Sequence, residues 1–218
     1  MGAITVRPFE GPDRAVIRAM SHRVGYMGEP ATWYWRHFES FAEIWTAYYT
    51  DQEPESLFVA VRDGQIVGFL TGCVDSRVTR NPAQAVTRAA IRYALFIRPG
   101  TAGFLWRGVL DTLSQRGLPS GELEDPRWPS HLHINLLPEA RGCGAGASLM
   151  EAWFKRLAEV GSPGCHLGTL LENQRAIAFF KRMDFACLGE PQLAPGMRTP
   201  TGGRHHLQFM VREMSATS

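Results

Sequence analysis

The chain has 218 residues and a mass of 24.3 kDa, enough to bury the core of one sizeable domain. Its formal net charge of +2 is too close to neutral to indicate binding of nucleic acid or of a membrane surface. There is no basic apolar leader, no apolar run long enough to span a bilayer, and no Cys-x-x-Cys pair. We therefore expect a cytoplasmic protein that holds no metal ion and binds neither nucleic acid nor a membrane.

The N-terminal part predicts the start of an α/β domain. Residues 4–8 form a predicted strand, and Asp13 is a candidate cap for a helix that runs to about Ser21. The apolar face of this helix is expected to carry Val16, Ile17 and Met20. A hairpin follows, because Asp63-Gly64 between two apolar runs favours a tight two-residue turn.

An aromatic-rich segment at residues 32–49 separates the helix from the hairpin. Its apolar residues at helical spacing are Trp35, Phe38, Phe41, Ala42 and Trp45. Such a stripe predicts a helix face that packs into the core. The aromatic residues off the stripe are the better candidates for a pocket wall, and they are Trp33, Tyr34, Tyr48 and Tyr49.

The segment after the hairpin, residues 76–129, is predicted to be a helical insert or lid. Residues 82–97 and 101–116 both have helical patterns, and Pro99-Gly100 breaks the helix between them. A structureless loop of this length is improbable inside a compact domain, so helices are the better interpretation.

The most informative stretch is residues 132–146. An apolar strand ends before Pro138, and the pattern Arg141-x-x-Gly144-x-Gly146 then opens an amphipathic helix. Glycines allow several backbone N–H groups to converge on one point at the positive end of the helix dipole. The stretch therefore predicts a cradle for a pyrophosphate.

Three known phosphate-binding loops compete for this pattern. A Walker loop requires Lys before Ser or Thr, and no such Lys follows here. Gly142, Gly144 and Ala147 satisfy the dinucleotide fingerprint, but its glycines follow the strand directly, whereas Pro138 intervenes here, which disfavours a nucleotide-dependent oxidoreductase. The spacing resembles the Arg/Gln-x-x-Gly-x-Gly/Ala loop of GCN5-related N-acetyltransferases (GNATs), which grips the pyrophosphate of acetyl-CoA. The remaining alternative is a glycine-rich helix entry without a ligand.

A second motif follows after a predicted strand at residues 165–171. Asn173-x-x-Ala176-x-x-Phe179-Phe180, with Phe185 beyond it, resembles the GNAT signature Asn-x-x-Ala-x-x-Phe-Tyr-x-x-x-Gly-Phe. The Asn amide can cap the following helix, and the resemblance implies that it also contacts the pantetheine arm. With both motifs in order, the chain is identified as a GNAT. Residues 131–138 also resemble bacterial relatives of the acetyltransferase-like C-terminal domain of protein O-GlcNAcase.

The resemblance implies a single α/β domain over residues 1–218, with the GNAT fold of a mixed central sheet flanked by helices and the insert between hairpin and central strand. It implies acetyl-CoA as donor and an amine as acceptor, reacting by direct attack in a ternary complex. It leaves the acceptor and the oligomeric state open. The residues implied to bind the cofactor are Leu136, Leu137, Arg141, Gly142, Cys143, Gly144, Ala145, Gly146, Asn173 and Phe180.

Two histidines on the predicted central strand are candidate general bases. His131 and His133 are two residues apart and so point to one face of the sheet, with Asn135 next on that face as a candidate acceptor contact. Imidazole titrates in the range that deprotonation of an amine requires. A His-x-His pair in arylalkylamine N-acetyltransferases is similar, in a register that differs by about one residue. The alternative is two structural histidines hydrogen-bonded within the sheet.

The chain departs from the family at Phe180, where a Tyr commonly reprotonates the departing thiolate, and at Asp184, which replaces the usual Gly. Three explanations remain open. Another hydroxyl supplies the proton, or the thiol, with a pKa of about 8.5, leaves as the thiolate. The third is a catalytically weak or silent domain that binds CoA or a partner.

Overall fold

The computed structural model describes residues 2–77, 82–114, 123–199 and 201–214. The strands of this part of the chain are β1 (Thr5–Pro8), β2 (Leu57–Arg62), β3 (Gln65–Cys73), β4 (Ser130–Leu136), β5 (Gly164–Leu170), β6 (Ala186–Arg198) and β7 (Arg204–Glu213). The α-helices are α1 (Arg14–Arg23), α2 (Phe38–Asp51), α3 (Pro82–Arg92), α4 (Ala102–Ser114), α5 (Ala145–Glu159) and α6 (Gln174–Arg182). Among these described helices, none has the length and apolar character to cross a membrane.

The strands form one seven-stranded sheet in the order β1-β2-β3-β4-β5-β7-β6. Neighbouring strands are antiparallel except β4 and β5, which are parallel. The predicted hairpin of β2 and β3 is confirmed. Its two turn residues, Asp63 and Gly64, have φ of 50° and 76°, the left-handed conformation that a tight hairpin turn requires. The predicted mixed sheet flanked by helices is therefore confirmed.

Helices cover both faces of the sheet, and each face has its own apolar core. Adjacent strand residues point to opposite faces, and Phe69 and Leu70 on β3 accordingly belong to different cores. Phe69 packs in the cluster that holds Ile17 of α1, whereas Leu70 packs in the cluster that holds Trp153 of α5 and Ile177 of α6. The same alternation along β4 later decides which of its residues reach the functional cavity.

The first helix forms as predicted, but two of its expected residues have other roles. Asp13 is already helical, with φ −70° and ψ −20°, and gives α1 no side-chain cap. Its carboxylate instead accepts hydrogen bonds from Arg7 (2.7 and 2.9 Å), whose guanidinium holds the pKa of Asp13 below its usual range. The predicted face was also wrong for Val16, which is 43% exposed, because the core contacts fall on Ile17 and Met20.

The insert between β3 and β4 contains the two predicted helices, but the first ends earlier than expected. α3 ends at Arg92, and Ala94 has φ 50°, after which Leu95–Ile97 forms a 3-10 turn. The reversal buries Leu95 completely, and this burial offsets the strain of a left-handed residue other than glycine. The last residues of the second predicted helix, 115 and 116, lie outside the described residues.

A buried ion pair fastens α4 to β6. Asp111 accepts hydrogen bonds from the Arg198 guanidinium (2.7 and 2.8 Å) and from the Gly196 backbone N–H (2.8 Å). The Asp111 side chain is only 4% exposed, and the Arg198 bonds hold its pKa below the usual range. The insert is therefore anchored on the C-terminal half of the sheet.

Gly72 on β3 provides a test of core packing. A Cβ at this position would overlap the ring of Trp153, which is fully buried. We expect Gly72→Ala to lower the free energy of unfolding by about 1–3 kcal/mol, the usual cost of overpacking. Urea denaturation measures this change. Gly11→Ala is the matched control, since a Cβ there meets nothing within 4 Å; equal effects of the two substitutions would contradict the packing described here.

Candidate active site

The central feature of the site is the parting of β4 and β5. Among the described residues, these parallel strands pair only at Ser130 with Cys165 and His131 with His166. Beyond this point the strands diverge, and a cavity of about 780 Å³ opens between and around them. Both strands contribute residues to its lining, from Leu132 to Leu136 on β4 and from Leu167 to Leu170 on β5.

The backbone of β4 presents hydrogen-bond donors to this cavity. Leu137 N–H donates to the Val67 carbonyl oxygen at 2.9 Å, on the side of β3. Because antiparallel strands alternate the direction of their N–H groups, those of Ile134 and Leu136 point away from β3 and towards the gap. The gap thus has the geometry to bind a ligand that carries carbonyl oxygens.

The predicted glycine cradle lies at one end of the cavity. Gly142 and Gly144 have φ of 74° and 84°, which favours glycine, and a Cβ at either would meet nothing within 4 Å. Gly144 is also the N-terminal cap of α5, so the positive end of a 15-residue helix faces this space. Open space, left-handed glycines and a helix N-terminus are together what a pyrophosphate site requires.

Three arginines line the same end of the cavity: Arg141, Arg175 and Arg182. Arg141 donates to the Gly28 carbonyl oxygen at 2.6 Å, and Arg175 donates to the Met27 carbonyl oxygen at 2.9 Å. Burial and the neighbouring charge of Arg175 lower the pKa of Arg141 from its ordinary value. The two guanidinium groups thus hold the turn after α1 against the cradle and give this end of the cavity a positive potential.

The second motif lies beside the cradle. Asn173 Oδ1 accepts the Ala176 backbone N–H at 3.3 Å, so the predicted cap of α6 is confirmed. Phe180 lines the cavity and packs between the rings of Phe179 and Phe185, with centroid distances of 5.2 and 5.6 Å. The residue predicted to replace the family's proton donor is therefore part of an apolar wall.

The structure brings most of the residues expected to bind the cofactor to one cavity. Those that line it are Leu136, Arg141, Gly142, Gly144, Gly146, Asn173 and Phe180. Leu137 does not, because its N–H is bonded to Val67 and its side chain packs in the core under α1. Ala145 is fully buried beneath the cradle, and Cys143 is exposed on its outer side.

The other end of the cavity is aromatic. The aromatic residues that line it, apart from the second motif, are Tyr26, Tyr34, Trp35, Phe41, Trp45 and Phe104. Among the four residues predicted as pocket wall, only Tyr34 belongs to this set. Trp45 was expected in the core but is 43% exposed, because it lies on the side of α2 that faces His133, with ring centroids 5.4 Å apart.

The two candidate histidines share a face, as expected, but have different environments. Their ring centroids are 4.5 Å apart. His133 lines the cavity beside Asn135, whereas His131 is buried against His166, on which its ring stacks at 5.0 Å. Burial, reinforced by the neighbouring His166, lowers the pKa of His131 to about 3. His131 is therefore neutral at physiological pH, and the geometry brings only His133 to the cavity.

A further group of polar side chains lies at the cavity and was not predicted from the sequence. Tyr26 lines the cavity and is hydrogen-bonded to His205, which is in turn hydrogen-bonded to Glu172. Tyr26 and His205 are separated by 179 residues in the sequence, so no local pattern joins them. The sequence around residue 205 carries no motif that would select this histidine.

The family follows from this geometry and from comparison with known proteins. A sequence model of the acetyltransferase (GNAT) family matches residues 27–185, a span that contains the parted strands, the cradle and the second motif. The chain belongs to the GNAT family. The family uses acetyl-CoA, and the cradle described above has the open space and the positive charge that this group requires.

Solved structures share this GNAT fold over nearly the whole chain. The crystal structure of SsHAT has a TM-score of 0.72 and 26% identity, covering 98% of this chain and 99% of that one. The structure of yncA from Salmonella typhimurium with its cofactor acetyl-CoA has a TM-score of 0.60 and 14% identity, covering 100% and 97%. Ribosomal-protein-alanine N-acetyltransferase from Brucella melitensis has a TM-score of 0.58 and 18% identity, covering 96% and 99%. The narrower resemblance to O-GlcNAcase relatives stays a prediction.

The cradle generates a binding prediction. Gly144→Val should weaken acetyl-CoA binding by about tenfold or more, because the side chain enters the open space and strains a left-handed residue. Calorimetric titration with acetyl-CoA measures the change. Gly189→Val is the matched control, since Gly189 also has a positive φ (62°) and an open Cβ position but lies on β6 outside the cavity lining. Equal acetyl-CoA affinities in the two variants would count against a cradle at residues 141–146.

The burial of His131 generates a prediction about acid stability. Above pH 6.5 this imidazole is neutral in both states, whereas below it the unfolded chain takes up a proton that the folded protein does not bind until pH is about 3. The free energy of unfolding should therefore fall as pH falls below 6.5, with a slope that reaches about 1.4 kcal/mol per pH unit between about pH 5.5 and 4.5. His131→Phe should flatten this slope in urea denaturation, and an unchanged slope would contradict the neutral buried imidazole.

Proposed function

We propose that this protein is an acetyl-CoA-dependent N-acetyltransferase that transfers the acetyl group directly to an amine in a ternary complex. The observation that carries the proposal is that one continuous cavity joins the glycine and arginine end to the face of β4 that bears His133. A donor held at the first end and an acceptor held at the second would meet between the parted strands. We also propose that the chain is one domain, with α3 and α4 covering the acceptor end through Val86 and Phe104.

The donor would be held mainly by backbone groups. The cradle N–H groups and the helix dipole suit a pyrophosphate, and the arginines add positive charge. The N–H groups of Ile134 and Leu136 suit the carbonyl oxygens of the amide arm and of the thioester. A preorganised N–H directed at the thioester oxygen stabilises the negative charge that develops there during attack.

The acceptor face supplies the base. The acceptor nitrogen bonds to the acetyl carbonyl carbon, the carbon–sulfur bond breaks with its electron pair on sulfur, and the amine loses a proton. An alkylamine is protonated at neutral pH, so one proton must also leave before the attack. We propose that His133, which faces the cavity, removes that first proton. We propose that His131 holds the His133 ring in place by edge-to-face contact.

The second candidate function is a CoA-binding domain without catalysis. It is favoured by one observation, the replacement of the family's hydroxyl donor by the buried ring of Phe180. Thiol release from acetyl-CoA, screened against a panel of alkylamines, arylalkylamines, aminosugars and lysine peptides, separates the two functions. Acetyl-CoA binding without thiol release for any amine would support the silent domain, and binding of NAD(P) without CoA binding would overturn both.

His133 provides the mutational test. With a good acceptor, His133→Gln should lower kcat by about 10²–10⁴ and leave the acetyl-CoA dissociation constant unchanged, because a positioned base is lost and the donor contacts are not. The rate should recover at higher pH, where the free amine exists without help. His37→Asn is the matched control, since this histidine caps α2 outside the cavity and Asn keeps a capping side chain. An unchanged kcat in His133→Gln would return this histidine to a structural role.

A further inference from the structure

Three side chains from distant parts of the chain form a hydrogen-bonded series that ends at the cavity. The Tyr26 hydroxyl lies 2.8 Å from His205 Nε2, and His205 Nδ1 lies 2.8 Å from Glu172 Oε2. Tyr26 follows α1, Glu172 follows β5, and His205 lies at the start of β7. Tyr26 and His205 are 7% and 1% exposed. The phenol and the imidazole are thus buried, whereas the Glu172 side chain is 30% exposed.

The ionisation of Glu172 fixes where the protons lie. Burial raises its pKa, but hydrogen bonds from His205 and His206 outweigh burial and lower the pKa overall. The carboxylate is therefore ionised at neutral pH and accepts the Nδ1–H of His205. In the neutral imidazole, Nε2 then carries the lone pair and accepts the Tyr26 O–H. The phenol oxygen still has lone pairs that can accept a further hydrogen bond, and Tyr26 is one of the residues that line the cavity.

This arrangement has the logic of a hydroxyl–imidazole–carboxylate triad. A proton that reaches the phenol oxygen pushes the phenol's own proton to His205, and the carboxylate stabilises the resulting imidazolium. Reversal of the two transfers returns a proton through the phenol oxygen. Burial also raises the pKa of Tyr26, so the resting phenol is protonated. The series is thus suited to take up one proton and to release it again.

The position of Tyr26 is coupled to the donor end of the cavity. The residues immediately after it, Met27 and Gly28, form a tight turn whose carbonyl oxygens accept hydrogen bonds from Arg175 and Arg141. Tyr26, at the aromatic end, is therefore next in sequence to a turn that the arginines of the cradle end bind, and both Tyr26 and Phe180 line the same cavity.

We propose that Tyr26 is a catalytic residue that carries the amine's second proton to the departing sulfur, with His205 and Glu172 as positioning residues that act through it. This inference rests on the proposed function. A protonated amine loses two protons in forming an amide, and His133 passes the first to solvent. The second moves from nitrogen to the phenol oxygen as the carbon–nitrogen bond forms, and the phenol's own proton moves to His205. Tyr26 then gives one proton to the sulfur, and His205 returns its proton to Tyr26. The three side chains are thus restored, and the thiol leaves neutral.

Tyr26→Phe tests the relay, because it keeps the ring and removes the proton path. We expect kcat to fall by about 10²–10⁴ with the acetyl-CoA dissociation constant unchanged. His205→Gln and Glu172→Gln should also lower kcat, but His205→Gln should add nothing in a Tyr26→Phe background, since residues of one relay are not additive. Tyr48→Phe is the matched control: its hydroxyl donates to Glu53 at 2.9 Å in a half-buried site outside the cavity lining, so kcat should not change.

A measurement on the protein alone completes the test. Nitrogen-15 NMR of histidine-labelled protein should find the His205 proton on Nδ1, and Glu172→Gln should shift this tautomer. A proton on Nε2 would overturn the relay even if the variants failed to fold. In an active wild type, an unchanged kcat in Tyr26→Phe, or additive losses in the double variant, would overturn the relay and leave the proposed function standing. A wild type that binds acetyl-CoA but releases no thiol with any amine would instead overturn the proposed function, whatever the tautomer.

Discussion

The parting of β4 and β5 after the His131–His166 pair is the constraint on which the rest of the site depends. Had the two parallel strands continued to pair, the N–H groups of Ile134 and Leu136 would have bonded to β5 and the cavity would not exist. Backbone groups without a protein partner at a partly buried strand edge cost free energy unless they are satisfied. Under the proposed function, the amide arm of the donor satisfies them, so the open edge serves as the binding surface.

The two faces of β4 carry different side chains and therefore different chemistry. Residues at alternate positions reach the core under α5 or the face under α2, and a shift of one residue would exchange them. Leu132 packs in the core with Trp153, whereas His133 faces Trp45 and Tyr49. The end of the cavity that we propose for the acceptor is therefore aromatic and bears an imidazole. The end that we propose for the donor is built from glycines, arginines and a helix N-terminus.

The turn at Met27 and Gly28 joins these two sides. Arg141 and Arg175 line the cradle end, yet their guanidinium groups also bind the carbonyl oxygens of this turn, which directly follows Tyr26 of the aromatic end. In the proposed mechanism, Tyr26 supplies the hydroxyl that Phe180 lacks, and it does so from the segment after α1. The catalytic hydroxyl would then be held by the same arginines that give the donor site its charge.

The sequence determined the features that depend on neighbouring residues. The Asp63-Gly64 turn, the cap at Asn173 and the glycine cradle were all predicted, because turn conformations, caps and helix entries are set by a few adjacent residues. The order of the two motifs identified the family for the same reason, since each motif is a local pattern.

Only the tertiary structure decided which side chains meet in the cavity. Leu137 does not line the cavity, because its N–H is bonded to Val67. Trp45 does line it, because this side of α2 faces the cavity. The tertiary structure also separated two histidines with the same strand spacing into one buried imidazole and one at the cavity. The meeting of Tyr26 with His205, 179 residues away, depends on how a loop and two strands pack together. Local periodicity cannot predict such contacts, because it gives only the direction in which a side chain points. It does not say which distant residue lies opposite that side chain.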